Sequence, residues 1–167
     1  MKSVLLRAME PEDLDLLYCI ENDQTLWGLG TTNVPYSRYA LHDYIAHASG
    51  DIYTDGQVRL IIETNDREAV GLADIVSFDA NNCRAEIGII IECRHRRKGY
   101  AFQALQQMGD YALRILHLHQ LYAYVPANNL PSMALFEKLG YIRSAILSDW
   151  LYDGKNYQNA VLMQKFL

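Results

Sequence analysis

The chain has 167 residues, of which 50% are hydrophobic and 21% are charged, a composition that suits one folded domain and excludes a disordered chain. Its formal net charge of −5 argues against broad nucleic-acid binding and mildly favours a small cationic partner. No apolar run approaches the ~20 residues of a membrane-spanning helix, and three scattered cysteines indicate reduced thiols in the cytoplasm.

The first third of the chain alternates strand and helix signals. The pattern predicts an opening strand over residues 3–9, followed by a helix that begins at Pro11. Residues 24–35 contain glycine and proline and predict a loop. Ser37 then caps a second helix that Gly50 ends.

Three consecutive strands are predicted next, over residues 57–64, 68–79 and 83–92, with turns at Asn65–Asp66 and Asn81–Asn82. Side chains alternate between the two faces of a strand. In the third strand this places Glu86, Gly88 and Ile90 opposite a face formed by Ala85, Ile87, Ile89 and Ile91.

The rest of the chain continues the alternation. It predicts a helix over 99–117, a strand over 119–126, a helix over 130–139, and strands over 141–152 and 155–166. Asp153–Gly154 between the last two strands is a strong hairpin signal. Residues 1–167 therefore read as a single α/β (α+β) domain.

The segment that joins the strand over 83–92 to the following helix is the most informative. Arg94, Arg96, Arg97 and Lys98 form a basic turn, and Gly99 opens the helix. The first N–H groups of a helix lack internal acceptors and bind anions, and glycine allows a bulky anion to approach the backbone. The pattern favours a pyrophosphate-like ligand over the alternative of a solvated basic turn. Neither G-x-x-x-x-G-K-[ST] nor G-x-G-x-x-G is present, which disfavours kinases, GTPases and dinucleotide dehydrogenases.

Several segments, in the correct order, resemble the GNAT superfamily of N-acetyltransferases. Residues 96–101 match its [QR]-x-x-G-x-[GA] acetyl-CoA motif, and residues 85–91 resemble the strand before it. Residues 129–132 and 136–141 resemble its N-x-x-S…Y-E-K-L-G-F segment, and residues 153–157 its closing hairpin. The chain looks most like the branch with ribosomal-protein N-terminal and bacterial spermidine acetyltransferases. The resemblance implies a GNAT-like fold, with a central mixed, mostly antiparallel sheet of about seven strands flanked by about four helices.

The resemblance also implies acetyl-CoA as cosubstrate. By analogy, the pyrophosphate binds the main-chain N–H groups of Arg96, Arg97, Lys98, Gly99, Tyr100 and Ala101. The backbone of Ile89, Ile90 and Ile91 would pair with the pantetheine as a strand does. Asn129 and Ser132, at the start of the next helix, would complete the cofactor site.

Amine acetylation needs a base, oxyanion donors and an acid near sulfur. Glu86 matches a strand glutamate that is the base in some members, and the alternative is an ion pair with Arg84 or another cation. Asp149 is a second candidate base, or else a surface aspartate. A strand N–H near Ile89 or Ile90 is the candidate oxyanion donor.

The acid departs from the family pattern, because Phe136 stands where many members have tyrosine. Ser132 is the expected proton donor or thiolate stabiliser, with helix capping as the alternative. Tyr141 and Tyr157 are further phenols without an assigned role. The twelve tyrosines mostly suit the core, although they could line an amine site by cation–π contact.

The sequence thus predicts transfer of an acetyl group to a primary amine of a protein N-terminus, a polyamine or another small amine, by direct attack. A noncatalytic acyl-CoA-binding module is the alternative, and a nucleic-acid module built on residues 94–98 is disfavoured by the net charge. The neutral residues 30–33 argue against spermidine, since a polyamine site should cluster carboxylates. The histidines lack metal-ligand spacing, so no catalytic metal is expected. The strand near the splayed centre of the sheet could also support a homodimer.

Overall fold

The computed structural model describes residues 3–28 and 34–167. The neutral segment at residues 30–33, on which the argument against spermidine rests, lies outside the described residues. The two described ranges include every other segment on which the sequence analysis placed a functional role.

A seven-stranded sheet runs through the described part of the chain in the order β1-β2-β3-β4-β5-β7-β6. Its strands are β1 (Val4–Arg7), β2 (Val58–Thr64), β3 (Ala69–Asp79), β4 (Arg84–Ile91), β5 (Gln120–Pro126), β6 (Ile142–Tyr152) and β7 (Tyr157–Phe166). All neighbours are antiparallel except β4 and β5, which are parallel. The expected mixed, mostly antiparallel sheet is confirmed.

Six α-helices accompany the sheet in the described residues. They are α1 (Leu14–Glu21), α2 (Gln24–Trp27), α3 (Arg38–His47), α4 (Ile52–Asp55), α5 (Tyr100–Arg114) and α6 (Leu130–Lys138). Four of them were predicted, whereas α2 and α4 were not, and α2 lies inside the predicted loop over 24–35. Each of these two helices has four residues, too few for a hydrophobic period, and begins at an aspartate cap, Asp23 or Asp51.

Several predicted elements were longer than the observed ones, including the second helix, which ends at His47 instead of at Gly50. The opening strand ends at Arg7, because the chain turns into a short 3-10 helix where buried Asp13 bonds the Arg7 guanidinium at 2.7 and 2.8 Å. Helix α5 ends at Arg114, after which the chain turns and buries Leu116 and Leu118. The hairpin loop extends to Asn156, because the Asp153 carboxylate accepts the N–H groups of Lys155 and Asn156.

The two faces of the sheet carry separate cores. On one face, Ala85 and Ile87 of β4 pack with α5 residues such as Leu105 in the larger cluster. On the other face, Ile90 packs against a smaller cluster that includes Leu17 of α1. The predicted alternation along β4 is therefore confirmed.

The sheet opens between β4 and β5. These strands pair at three positions, Arg84↔Gln120, Ala85↔Leu121 and Glu86↔Tyr122. Beyond Glu86 the two strands diverge, while β4 continues along β3 as far as Ile91 and β5 continues along β7 as far as Pro126. The stretch from Ile87 to Ile91 therefore has a strand edge with no partner on the side of β5.

Candidate active site

A cavity of about 740 Å³ lies in this opening. The end of β4, the basic turn, the first turn of α5 and the first turn of α6 line it, with Thr25 and Leu26 of α2 at one side. Ten of the eleven residues predicted to bind acetyl-CoA are in its wall: Ile89, Ile90, Ile91, Arg96, Arg97, Gly99, Tyr100, Ala101, Asn129 and Ser132. Lys98 is not, and its side chain is exposed.

The backbone of the basic turn is shaped to receive an anion. Arg97 and Gly99 adopt left-handed conformations, with φ of 64° and 83°. Alternating left-handed residues turn successive N–H groups toward one concave surface. The predicted pyrophosphate contact of the Arg96 N–H is wrong, because this group donates to the Cys93 carbonyl oxygen at 3.4 Å. Among the described residues, no acceptor takes the N–H groups of residues 97–102. A Cβ on Gly99 would meet no atom within 4 Å, so protein packing does not require glycine here. Glycine is favoured by the positive φ and by the space that it leaves for a ligand.

The turn's side chains are partly committed to neighbours. Arg96 donates from Nε to the Ile91 carbonyl oxygen at 2.9 Å, which ties the turn to the end of β4. Arg94 pairs with Glu92 at 2.9 Å, so its charge is balanced locally. The main chain of the turn and the Arg97 side chain, which has no partner among the described residues, are therefore available to hold a diphosphate.

The start of α6 presents two polar side chains to the same cavity. Asn129 is the N-cap, and its Oδ1 accepts the N–H of Ser132 at 3.2 Å, which leaves the Asn129 amide nitrogen free to donate. The Ser132 hydroxyl takes no part in this cap and has no hydrogen-bond partner among residues 3–28 and 34–167. Ser132 thus supplies only its backbone N–H to the helix and can offer its hydroxyl to a ligand.

The other candidate acids lie away from the cavity. Phe136 is 5% exposed, and its ring meets the edge of Tyr141 at 4.9 Å. Tyr141 is 4% exposed, and burial raises the pKa of its phenol. Tyr157 is 67% exposed on the closing hairpin, against Tyr152. Of the hydroxyl groups that the sequence analysis considered, only that of Ser132 belongs to a residue of the cavity wall.

Glu86 stands where the opening begins, as the last residue of β4 that pairs with β5. Its carboxylate is half-buried and has no hydrogen bond or ion pair within the described residues. The pairing with Arg84 that sequence reasoning left open does not occur, since Arg84 pairs with Asp79 at 3.2 Å. Burial raises the pKa of Glu86, and burial together with the nearby charge of Glu86 raises the pKa of Tyr122.

Asp149 lies on exposed β6, outside the cavity wall. Its φ is 49°, and its N–H donates to Asn159 Oδ1 at 3.0 Å within an irregularity of the β6–β7 pairing. Asp149 is therefore not part of the cavity wall, and neither is Glu86, the first candidate base.

Sequence reasoning missed a charged group beside Glu86. Arg59 of β2 donates to Asp74 of β3 at 2.8 and 2.9 Å and to Glu21 of α1 at 2.5 Å. Asp74 is the pairing partner of Gly88, so it lies on the same face as Glu86, and Gly88 leaves the surface between them bare. We call Glu21, Arg59, Asp74 and Glu86 the acceptor-side cluster. Its three carboxylates and one guanidinium have a net formal charge of −2.

One feature of the sequence could have indicated part of this cluster. Asp74 interrupts an apolar run in β3, and a charge inside a buried strand is costly without a partner. The partners themselves come from α1 and β2, and only the order of the strands brings them to Asp74.

Two negative findings concern the described residues. They contain no group of three or more His, Cys, Asp or Glu side chains placed to hold a metal ion. None of their helices is both long and apolar enough to cross a membrane.

Comparison with known proteins identifies the class of this fold and site. Residues 3–142 match the acetyltransferase (GNAT) domain family, and the chain belongs to that family. It is an acetyl-CoA-dependent N-acetyltransferase that acts on an amine, and nothing in the comparisons supports the noncatalytic alternative.

Several of the proteins similar to this chain are polyamine acetyltransferases, and others are uncharacterised N-acetyltransferases. The spermidine N(1)-acetyltransferase of Escherichia coli K12 is 30% identical over 164 residues, which cover 96% of this chain and 84% of that protein. The crystal structure of the Vibrio cholerae spermidine N-acetyltransferase with CoA and spermine superposes with a TM-score of 0.87 at 25% identity, covering 98% of this chain and 95% of that one. A dodecameric structure of the same Vibrio enzyme gives a TM-score of 0.82 at 26% identity, covering 98% and 94%.

Proposed function

We propose that this enzyme acetylates a primary amino group of a polyamine such as spermidine or spermine. The observation that carries the proposal is the acceptor-side cluster, whose net formal charge of −2 lies on the sheet face where Glu86 marks the start of the opening. A cation with several amino groups is attracted to such a surface, and a neutral amine is not. The names of the relatives point to the same substrate class.

Acetyl-CoA is the donor, and we assign its binding to the residues of the cavity wall. The free N–H groups of residues 97–102 suit the pyrophosphate, and the unpaired edge at Ile89, Ile90 and Ile91 suits the pantetheine. The Asn129 amide nitrogen can donate to the pantetheine arm. The side chain of Lys98, outside the cavity wall, contributes long-range positive charge.

The chemistry needs one proton removed before attack and one delivered at sulfur. Glu86, directly or through a water molecule, takes a proton from the ammonium, and the amine nitrogen forms a bond to the acetyl carbon. A strand N–H at Ile89 or Ile90 stabilises the charge on the carbonyl oxygen. The carbon–sulfur bond breaks as the nitrogen loses its second proton, and Ser132 either relays a proton to the departing thiolate or stabilises the thiolate by a hydrogen bond until that proton reaches it. The products are the acetamide, the free thiol and one proton for solvent.

An amine panel tests this function. Spermidine, spermine, an alkyl monoamine, an amino sugar and a peptide with a free N-terminus are each incubated with enzyme and acetyl-CoA, with thiol release and product mass as readouts. We expect kcat/KM for the two polyamines to exceed that for the monoamine by at least about tenfold, the effect of ~1.4 kcal/mol. Higher ionic strength should shrink this difference. Preference for the peptide or the amino sugar would overturn the proposal.

We also infer self-association and a cytoplasmic location. Ile142 and Ile146, 56% and 70% exposed, lie on edge strand β6, which has β7 as its neighbour on one side. Exposed apolar residues on an edge strand favour pairing with another chain. The three cysteines are free thiols, as a reducing compartment requires. The negative net charge of the chain argues against a nucleic-acid partner.

A further inference from the structure

Three aromatic side chains form a continuous row that the catalytic scheme does not use. The ring of Tyr122 meets that of Tyr124 at a centroid distance of 5.7 Å, and Tyr124 meets Trp150 at 5.8 Å. Tyr122 pairs with Glu86 across the β4–β5 junction. This aromatic row therefore begins beside the candidate base and runs toward the closing hairpin.

The sequence builds the row with two devices. Alternation along β5 turns Leu121, Ala123 and Val125 into the larger core, so Tyr122 and Tyr124 face the opposite side, as Glu86 does. On β6 the pairing with β7 is irregular between Leu147 and Leu151. A bulge of this kind re-aims side chains, and here Trp150 comes to lie against Tyr124.

Among the residues that the structure describes, no cation lies over a ring of the row. The cation–π contacts of the described residues involve Tyr18, Tyr44, Phe102 and Tyr141, and none involves the row. Trp150 is 55% exposed and belongs to neither core cluster. An exposed indole at the far end of a row that begins beside Glu86 is open to a cation from outside.

We propose that the aromatic row is the subsite for the non-reacting, cationic arm of the acceptor. This inference rests on the proposed function: while one amino group reacts beside Glu86, the next ammonium groups lie against Tyr124 and Trp150. Ammonium groups bind the faces of aromatic rings by electrostatic attraction to the ring quadrupole. Nitrogens separated by three or four methylenes are about 5–6 Å apart, given single bonds of ~1.5 Å. That spacing is close to the steps of 5.7 and 5.8 Å between successive rings.

The test compares two synthetic amines of equal length and volume, one ending in a trimethylammonium group and the other in a neutral tert-butyl group. The readout is the ratio of their kcat/KM values, in which enzyme concentration and acetyl-CoA binding cancel. We expect the wild-type enzyme to prefer the cationic amine about tenfold, the equivalent of ~1.4 kcal/mol. Trp150→Leu keeps an apolar side chain but removes the aromatic face, so the ratio should fall several-fold, to the part of the preference that the acceptor-side cluster supplies.

Two further variants make the test specific. Trp150→Phe keeps an aromatic face and should retain most of the preference. Tyr152→Leu is the matched control, because Tyr152 is also 55% exposed on the hairpin but its ring meets Tyr157 instead of the row. Thermal melts establish that each variant is folded.

The possible outcomes separate this inference from the proposed function. A lowered ratio of kcat/KM values in Trp150→Leu, with the ratio unchanged in Tyr152→Leu, supports the subsite. If wild type acetylates polyamines and Trp150→Leu keeps the wild-type ratio, or Tyr152→Leu loses it equally, the subsite is wrong and the proposed function stands. If wild type acetylates no polyamine and shows no cationic preference, both are wrong.

Discussion

Folding partly desolvates the carboxylate of Glu86, which costs free energy when the group is charged. Burial without an ion pair or hydrogen bond disfavours its charged form and raises its pKa. A general base must be charged in order to accept a proton. A raised pKa makes that charged form a stronger base, with a proton affinity closer to that of the amine it deprotonates. Sequence alone placed Glu86 on the correct strand face but did not show its lack of a partner, which depends on Arg84 turning to Asp79.

Glu86→Gln should lower kcat by about 10²-fold or more, the usual scale for a lost general base. In wild type, kcat/KM for the amine should fall as pH drops through the raised pKa of Glu86, at a higher pH than for an ordinary carboxyl group. The variant should lose this acidic limb. A pH–rate profile measures both effects, and an unchanged acidic limb would contradict the assignment of the base.

The same substitution has a predicted sign for stability. Because the pKa of Glu86 is raised in the folded state, its stabilising contribution is present at low pH and is lost as pH rises through that pKa. The amide introduced by Glu86→Gln stays neutral at every pH, so the variant should be as stable as wild type or more stable near neutral pH. Thermal melts across pH check this, and marked destabilisation would mean that loss of activity reflects misfolding.

Ser132→Ala should reduce kcat by about tenfold while changing KM for acetyl-CoA by less than about twofold, since general acid catalysis acts on the chemical step. The helix cap uses the Ser132 N–H, which alanine retains, so the melting temperature should not change. Ser132→Thr keeps a hydroxyl and should recover most of the rate. Equal rates for serine, alanine and threonine would remove Ser132 from the reaction.

At the scale of elements, the cofactor turn was predictable because its binding groups are consecutive in sequence. A strand, a basic turn and a glycine-initiated helix specify it locally. The acceptor side was not predictable, since α1, β2, β3 and β4 each supply one residue of its charged cluster. The aromatic row likewise depends on a bulge in β6, which the residue pattern of that strand does not predict.

Gly99→Glu should abolish acetyl-CoA binding, because it adds bulk and negative charge where the free N–H groups converge. Gly99→Asn is the control: asparagine tolerates the left-handed backbone at φ 83° and adds no charge. We expect calorimetry to show weakened but measurable binding for Gly99→Asn and none for Gly99→Glu. Wild-type affinity in Gly99→Glu would refute the proposed pyrophosphate site.

At the scale of the whole molecule, the least covered element is β6, most of whose residues are exposed. If another copy covers this edge, Ile146→Glu should shift the wild-type assembly toward monomer. Leu113→Glu, on α5, is the control, because it places a charge at another exposed apolar position, 45% accessible in the monomer. Sedimentation velocity reports the assembly, and a wild-type monomer would exclude association through β6.

The divergence of β4 from β5 has a mechanical consequence. Three residue pairs join the half-sheet β1–β4 to the half-sheet β5–β7–β6. A pantetheine chain paired with Ile89–Ile91 would hold the two half-sheets together at this seam, the junction of β4 and β5. Bound coenzyme should therefore slow deuterium uptake by amides on both sides of the seam, including those of Leu121 and Tyr122, which it need not touch.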